Sequence, residues 1–295
     1  MKSEIPVYNL SSFPEVRTDD FLVSRFAPYA VTHQNLHYPH RHNFYHILLF
    51  TAGSGSHSID FQTFTVQPYQ IYFMKPGQVH SWHFDSAPDG YVINFSAVFF
   101  QSFLLKHNFL DDFTFFNGLA SNSVIDIPEV SHAKIVALFE NILEESSANQ
   151  LFGFNLVRAL LLQVFILISR LGEGKNQPQS SGYNYTLLKN FQKLIEQNFQ
   201  TLKLPKDYAE LLYITPNHLN ALCNDLLGIS AGEVIRDRIF LEAKRLLINL
   251  DLTITEISNR LNFTDNSYFT KSFKKQTGAT PEEFRTQALN NTNHE

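Results

Sequence analysis

The chain has 295 residues, enough for two domains with separate cores, and its 44% apolar content is that of an ordinary soluble protein. A net charge of −5 offers no overall attraction to nucleic acid, and a single cysteine, Cys223, excludes an internal disulfide and fits a reducing compartment. Met1 is followed by Lys2, Glu4 and Pro6 without an apolar run, so no secretion signal is expected.

The first segment with chemical character is HYPHRHNFYHILLFTAGSGSH, residues 37–57, which carries His37, His40, His42, His46 and His57. On a strand, His40 and His42 alternate onto one face and His46 continues it. His57 and His83 fall on the opposite phase and are expected to be exposed. Three or four neutral imidazoles could hold a transition metal, but polar residues orienting a small ligand, or a barrel lip hydrogen-bonded to backbone, are the favoured reading. SHSIDFQTFTV, QIYFMK and GYVINFS are short strands bounded by GSG, QP and KPGQ turns, which suggests a sandwich or barrel.

From about Ser131 the period becomes helical, with Ile135, Leu138, Phe139, Ile142 and Leu143 on one face. A second helix is expected from Leu151 to Leu171. It is long and apolar enough to suggest a membrane span, but Asn155, Arg158, Gln163 and Arg170 favour a buried or dimer-forming helix. GEGKNQPQSSGYN, residues 172–184, reads as a linker.

Beyond it the chain reads as helical, with 13 basic and 13 acidic residues over 183–295 against 10 and 15 over 1–182. Ser230 with Glu233, Thr253 with Glu256 and Thr280 with Glu283 each fit a capping box, in which hydroxyl and carboxylate satisfy orphan backbone N–H groups. Pro216 and Pro281 sit at first helical positions, and Gly228 and Gly278 where helices stop. AELLYITPNHLNALCNDLLGIS and SNRLNFTDNSYFTKSFKKQTGAT form a weak repeat: Leu219, Cys223 and Gly228 match Phe269, Phe273 and Gly278 at an offset of 50. The second copy has one more residue in its turn. Two such copies suggest two helix-turn-helix units, at about 206–227 and 254–277. Between them Ile235, Ile239, Ala243, Leu246, Leu247 and Leu250 make one stripe on a helix expected over Ala231–Asn249, about 28 Å long. A rod of that length can hold two reading helices about one B-DNA turn apart, which a plain helical bundle, the alternative, does not need.

Residues 242–285, EAKRLLINLDLTITEISNRLNFTDNSYFTKSFKKQTGATPEEFR, resemble the AraC/XylS family of bacterial transcription regulators, and the resemblance extends over 183–289. It implies an α+β two-domain chain: a cupin-like β-barrel with two C-terminal helices over 1–171, a linker over 172–184, and over 185–295 an all-helical DNA-binding domain. In that domain a linker helix joins the two helix-turn-helix units. Carried over position by position, Asn266, Ser267, Thr270 and Lys271 face the major groove, and Lys274 and Lys275 contact phosphate. In the first unit the groove-facing positions are Asn217, Asn220, Ala221 and Asn224, with no Lys or Arg from Pro216 to Leu227. The second unit is therefore expected to supply most of the affinity.

The same resemblance makes the histidine stretch the first cupin motif and KPGQVHSWHF, 75–84, the second. The metal-ligand positions of metal-binding cupins fall on His40, His42, His46 and His80, with His46 in place of the usual Glu. Sensors of the family typically lack a metal, so no cofactor is expected. His40, His42, His46, His80 and Trp82 are expected to orient a small-molecule effector, a sugar or other metabolite. The implied protein is a cytoplasmic regulator that binds promoter DNA as a homodimer, contacts RNA polymerase and avoids membranes. The rival reading is a metal-dependent cupin oxygenase or isomerase with an accessory helical domain; a third is a constitutive DNA binder with an empty barrel.

Overall fold

A computed structural model describes residues 5–13, 20–33, 37–101, 103, 109–148, 150–172, 182–248 and 251–293. It divides into two compact units, residues 6–176 and 177–295. The fold is a β-sheet domain followed by a helical domain.

The first unit is organised by two long strands, β4 (Tyr45–Ile59) and β7 (Val79–Phe95), paired antiparallel along their length. One half of this ribbon is flanked by β2 (Phe21–Arg25) on β7 and by β6 (Gln70–Met74), then β8 (Val124–Asp126), on β4. The other half is flanked by β3 (His40–His42), then β1 (Val7–Tyr8), on β7, and by β5 (Gln62–Val66) on β4. The ribbon changes register between Phe50 and Gly55. Bulges of this kind bend a sheet and increase its twist. Glycine is required where the strands are closest: a Cβ on Gly55 would lie 2.1 Å from the His83 carbonyl oxygen, and one on Gly90 would lie 1.9 Å from that of Leu49.

Alternation then sorts the side chains into two cores. Ile47, Leu49, Ile71, Phe73, Tyr91 and Ile93 pack beneath α3 (Glu129–Ala148) and α4 (Gly153–Gly172). Leu48, Phe50, Tyr72, Met74 and Val92 face the other way and meet Ile59, Val66 and Trp82. This inner core is closed by α1 (Phe26–Thr32), which contributes Phe26 and Tyr29. A short helix α2 (Ala97–Gln101) follows β7.

Among the described residues α4 alone is long and apolar enough to cross a membrane by length and composition. Its Val157, Leu161, Val164, Phe165 and Ile168 are buried in the first core, as a core helix requires.

The second unit runs α5 (Gly182–Asn198), α6 (Pro205–Leu211), α7 (Pro216–Leu227), α8 (Ala231–Leu247), α9 (Ile254–Arg260), α10 (Asn266–Thr277) and α11 (Pro281–Asn293). Helix α5 begins inside the stretch expected as linker, while residues 173–181 lie outside the described residues. One core joins all of it: Ile235, Ile239, Ala243 and Leu247 of α8 pack with Leu219, Leu222 and Cys223 of α7 and with Phe269 and Phe273 of α10. Asn249 and Leu250, expected on α8, also lie outside the described residues.

Candidate nucleic-acid interface and ligand site

Each helix-turn-helix unit is fixed by local chemistry. The turn after α6 places Tyr213 in the left-handed region (φ 55), and the turn after α9 does the same with Asn262 (φ 53). In each case the next residue donates back to the preceding helix, Ile214 to the Ala209 carbonyl and Phe263 to that of Ser258, both at 3.0 Å. This is the Schellman closure that satisfies orphan carbonyls. Three residues lead from Tyr213 to Pro216 and four from Asn262 to Asn266, so the extra residue of the second copy lies after the left-handed position.

Thr215 caps α7 by accepting from the His218 N–H, and Asp265 caps α10 by accepting from that of Ser267. Gly228 (φ 71) and Gly278 (φ 85) end the two helices. The capping boxes at Ser230–Glu233 and Thr253–Glu256 are complete. Thr280 and Glu283 likewise exchange side-chain to backbone bonds at 2.7 and 3.2 Å. Accepting these bonds holds the carboxyls of Glu233, Glu256 and Glu283 below their usual range.

Helix α10 exposes Asn266, Ser267, Lys271, Lys274 and Lys275, leaves Thr270 half-buried, and buries Phe269 and Phe273. Helix α7 exposes Asn217, Asn220, Ala221 and Asn224 on one side and buries Leu219, Leu222 and Cys223 on the other. Burial pushes the Cys223 thiol up to about 11, so it stays protonated and inert. One expected reading residue has a second task. The Asn220 side-chain oxygen accepts from the Ala231 N–H, the first of α8, at 3.1 Å.

In the first unit the histidines converge. His40 pairs directly with His80 across β3 and β7, and their ring centroids are 4.1 Å apart. His42 lies 4.7 Å from His40, 4.8 Å from His80 and 4.9 Å from His46, centroid to centroid. All four are buried. His57 corrects the sequence reading, which expected it exposed: it is fully buried and its Nε2 lies 3.1 Å from His80 Nδ1. The register shifts between Phe50 and Gly55 are the cause. They reverse the alternation, so that His46, Leu48 and Phe50 point inward before them and His57 and Ile59 after. His83 is exposed.

Burial keeps these imidazoles neutral: His40 falls to about 4 and His46 to about 3 although Tyr38 and Asn94 pull them up, and His42, His57 and His80, where repulsion from the neighbouring rings adds to burial, lie well below the usual histidine value. The ring orientations are set by neighbours that sequence reasoning missed. His40 Nδ1 lies 2.7 Å from the Tyr38 carbonyl oxygen, and His46 Nδ1 lies 2.5 Å from Asn94 Oδ1. The Asn94 amide in turn donates to the Tyr29 hydroxyl of α1 at 3.3 Å.

Trp82, expected among the residues that orient an effector, has His57 stacked on it with centroids 3.2 Å apart. Its indole is thereby part of the wall. The space left among Phe26, Tyr29, His37, His40, His46 and His80 is about 20 Å³, room for about one water molecule.

Both domains match family models: an AraC-like ligand binding domain over residues 24–165 and a helix-turn-helix domain over 208–287. The arabinose operon regulatory protein of Escherichia coli is 25% identical over 246 residues, covering 82% of this chain and 80% of that protein. The transcriptional activator RhaR of Cronobacter sakazakii is 22% identical over 278 residues, covering 92% of this chain and 96% of its own length. Among solved structures, ToxT from Vibrio cholerae O395 matches 91% of this chain and 98% of its own at 13% identity, with a TM-score of 0.43. With an AraC-like ligand binding domain matched over residues 24–165 and a helix-turn-helix domain over 208–287, the chain belongs to the AraC family of transcription regulators.

Proposed function

We propose that the chain acts in the cytoplasm as a homodimer, without catalysing a reaction. It reads promoter DNA through α7 and α10 while its sheet domain responds to a small ligand and its DNA-bound form engages RNA polymerase. The observation that carries this is the two-sidedness of α10. Phe269 and Phe273 anchor it, so that Asn266, Ser267 and Lys271 are offered to base edges and Lys274 and Lys275 to phosphates. With α8 about 25 Å long, from its 17 residues, the two reading helices can address successive major-groove segments. Leu156, exposed on α4, supports that helix as the dimer seam. In the sheet domain α1 closes the inner core, so an effector the size of a sugar enters only if α1 withdraws. That withdrawal is the conformational change a ligand would drive.

The test is to sequence the genomic fragments that the purified chain retains, then titrate one in a gel shift at increasing salt. A retained promoter fragment whose affinity falls steeply with salt is the expected result. Retention of none at low ionic strength would overturn the reading.

A further inference from the structure

We propose that the histidine core is a binding site for a divalent transition-metal ion, held by Nε2 of His40, His42 and His80 with the position facing the cavity left to His46 or water. Nε2 of each of these three rings is buried without a hydrogen-bond partner. One ring nitrogen from each lies within 4.8 Å of one from each of the others. A buried polar atom left unpaired costs about 1–3 kcal/mol, and three gathered at one point make a poor apolar core but a ready set of donors. An ion bound at about 2.1 Å from each nitrogen needs those nitrogens about 3.4 Å apart, so the rings have up to about 1.4 Å to close.

The neighbours fix which nitrogen is available. A carbonyl oxygen only accepts, so the proton of His40 is on Nδ1, facing Tyr38, and the lone pair is on Nε2. The amide of Asn94, oriented by its bond to Tyr29, takes the Nδ1 proton of His46 in the same way. Nδ1 of His80 lies 3.1 Å from Nε2 of His57, and with His57 as the acceptor the lone pair of His80 is on Nε2. His40, His46 and His80 therefore each have an outer partner that can set the tautomer a ligand needs, the usual arrangement around a protein-bound metal. Neutral imidazoles without a carboxylate select zinc, cobalt, nickel or copper over magnesium or calcium. The free space beside these rings, which excludes a sugar while α1 stays in place, has room for about one water, enough for the remaining ligand of the ion.

As a signal the ion rests on the sensor reading above: occupancy would reach α1 through His46, Asn94 and Tyr29. The site itself does not need that reading.

The experiment uses the full chain without a histidine tag, dialysed against EDTA and titrated with Co²⁺ and then Zn²⁺. One equivalent per chain, visible Co²⁺ bands of tetrahedral intensity, and at least three imidazole nitrogens around zinc by X-ray absorption are expected. His80→Gln should lose at least 100-fold in affinity, while His83→Gln, at an exposed position, keeps it. No stoichiometric binding by the wild-type chain, or fewer than three imidazoles around the zinc, overturns the proposal whether or not the variant folds. A gel shift of the EDTA-dialysed chain separates the two readings. DNA binding without a metal site removes only this inference; a metal site without DNA binding removes the regulator and leaves the site.

Discussion

The Asn220 side-chain oxygen receives the Ala231 backbone N–H at 3.1 Å, tying the middle of α7 to the first turn of α8. That N–H is one of the four at a helix start with no partner inside the helix. Asn220→Ala should therefore lower the stability of the helical domain by about 1 kcal/mol, the usual cost of a lost cap. Asn220→Asp keeps the acceptor and places a negative charge near a helix N-terminus, so it should retain most of that stability. Urea melts of the three proteins check this.

The same contact alters which substitution tests DNA reading by the first unit. Asn224, exposed on α7, is the cleaner probe, because the Asn220 oxygen is committed. With no Lys or Arg on α7 and three Lys on α10, Lys271→Ala should abolish binding to a retained promoter fragment, whereas Asn224→Ala should weaken it less. Lys274→Ala should lower affinity on all sequences and reduce the salt slope by about one. A gel-shift titration with the reverse order, Asn224 mattering more than Lys271, would remove the asymmetry between the units.

The helical domain was legible in the sequence because its signals are local. Ser230 and Glu233, Thr253 and Glu256, and Gly228 and Gly278 act within a few residues of themselves, and their pattern carries over directly into three dimensions. The sheet domain was legible only in part. His40, His42, His46 and His80 come together as strand alternation suggests, but a phase carried from His46 to His57 fails at the bulges, which arise from pairing with a strand some thirty residues away. Helix α1 was missed because FAPYAVT is seven residues long, contains Pro28 and has no helical period to display. Asn94 and Tyr38 became visible only when the partners of the imidazoles were known; nothing in their own neighbourhood marks them.

Tyr213 tests how much of the turn geometry is backbone. Its φ is 55, and its side chain is 96% exposed, so it gives no packing in return for the left-handed conformation. That conformation costs a non-glycine residue about 1–2 kcal/mol, against about 0.5–1 kcal/mol for the greater freedom of glycine when unfolded. Tyr213→Gly should leave the melting temperature unchanged or raise it slightly. Tyr213→Val, β-branched in the same conformation, should lower it. A clear loss of stability in Tyr213→Gly would mean that the exposed ring holds something in place.

The neutral histidines make the sheet domain acid-labile in a defined direction. In the EDTA-dialysed protein His40 titrates near 4 and His46 near 3, while in the unfolded chain each takes up a proton near the ordinary value of about 6.5. His42, His57 and His80 are lowered as well, by burial first and by one another second. The unfolded state thus binds more protons than the folded state below about pH 6.5, and stability rises with pH there. The contribution is complete above about 6.5 and is lost as the pH falls from there towards the folded values, at up to about 1.4 kcal/mol per pH unit for each group. Urea unfolding followed by Trp82 fluorescence, which reports on the inner core, should show a much lower midpoint at about pH 5 than at about pH 7.5. Equal midpoints would mean that these imidazoles are already protonated in the folded chain, which their burial against one another opposes.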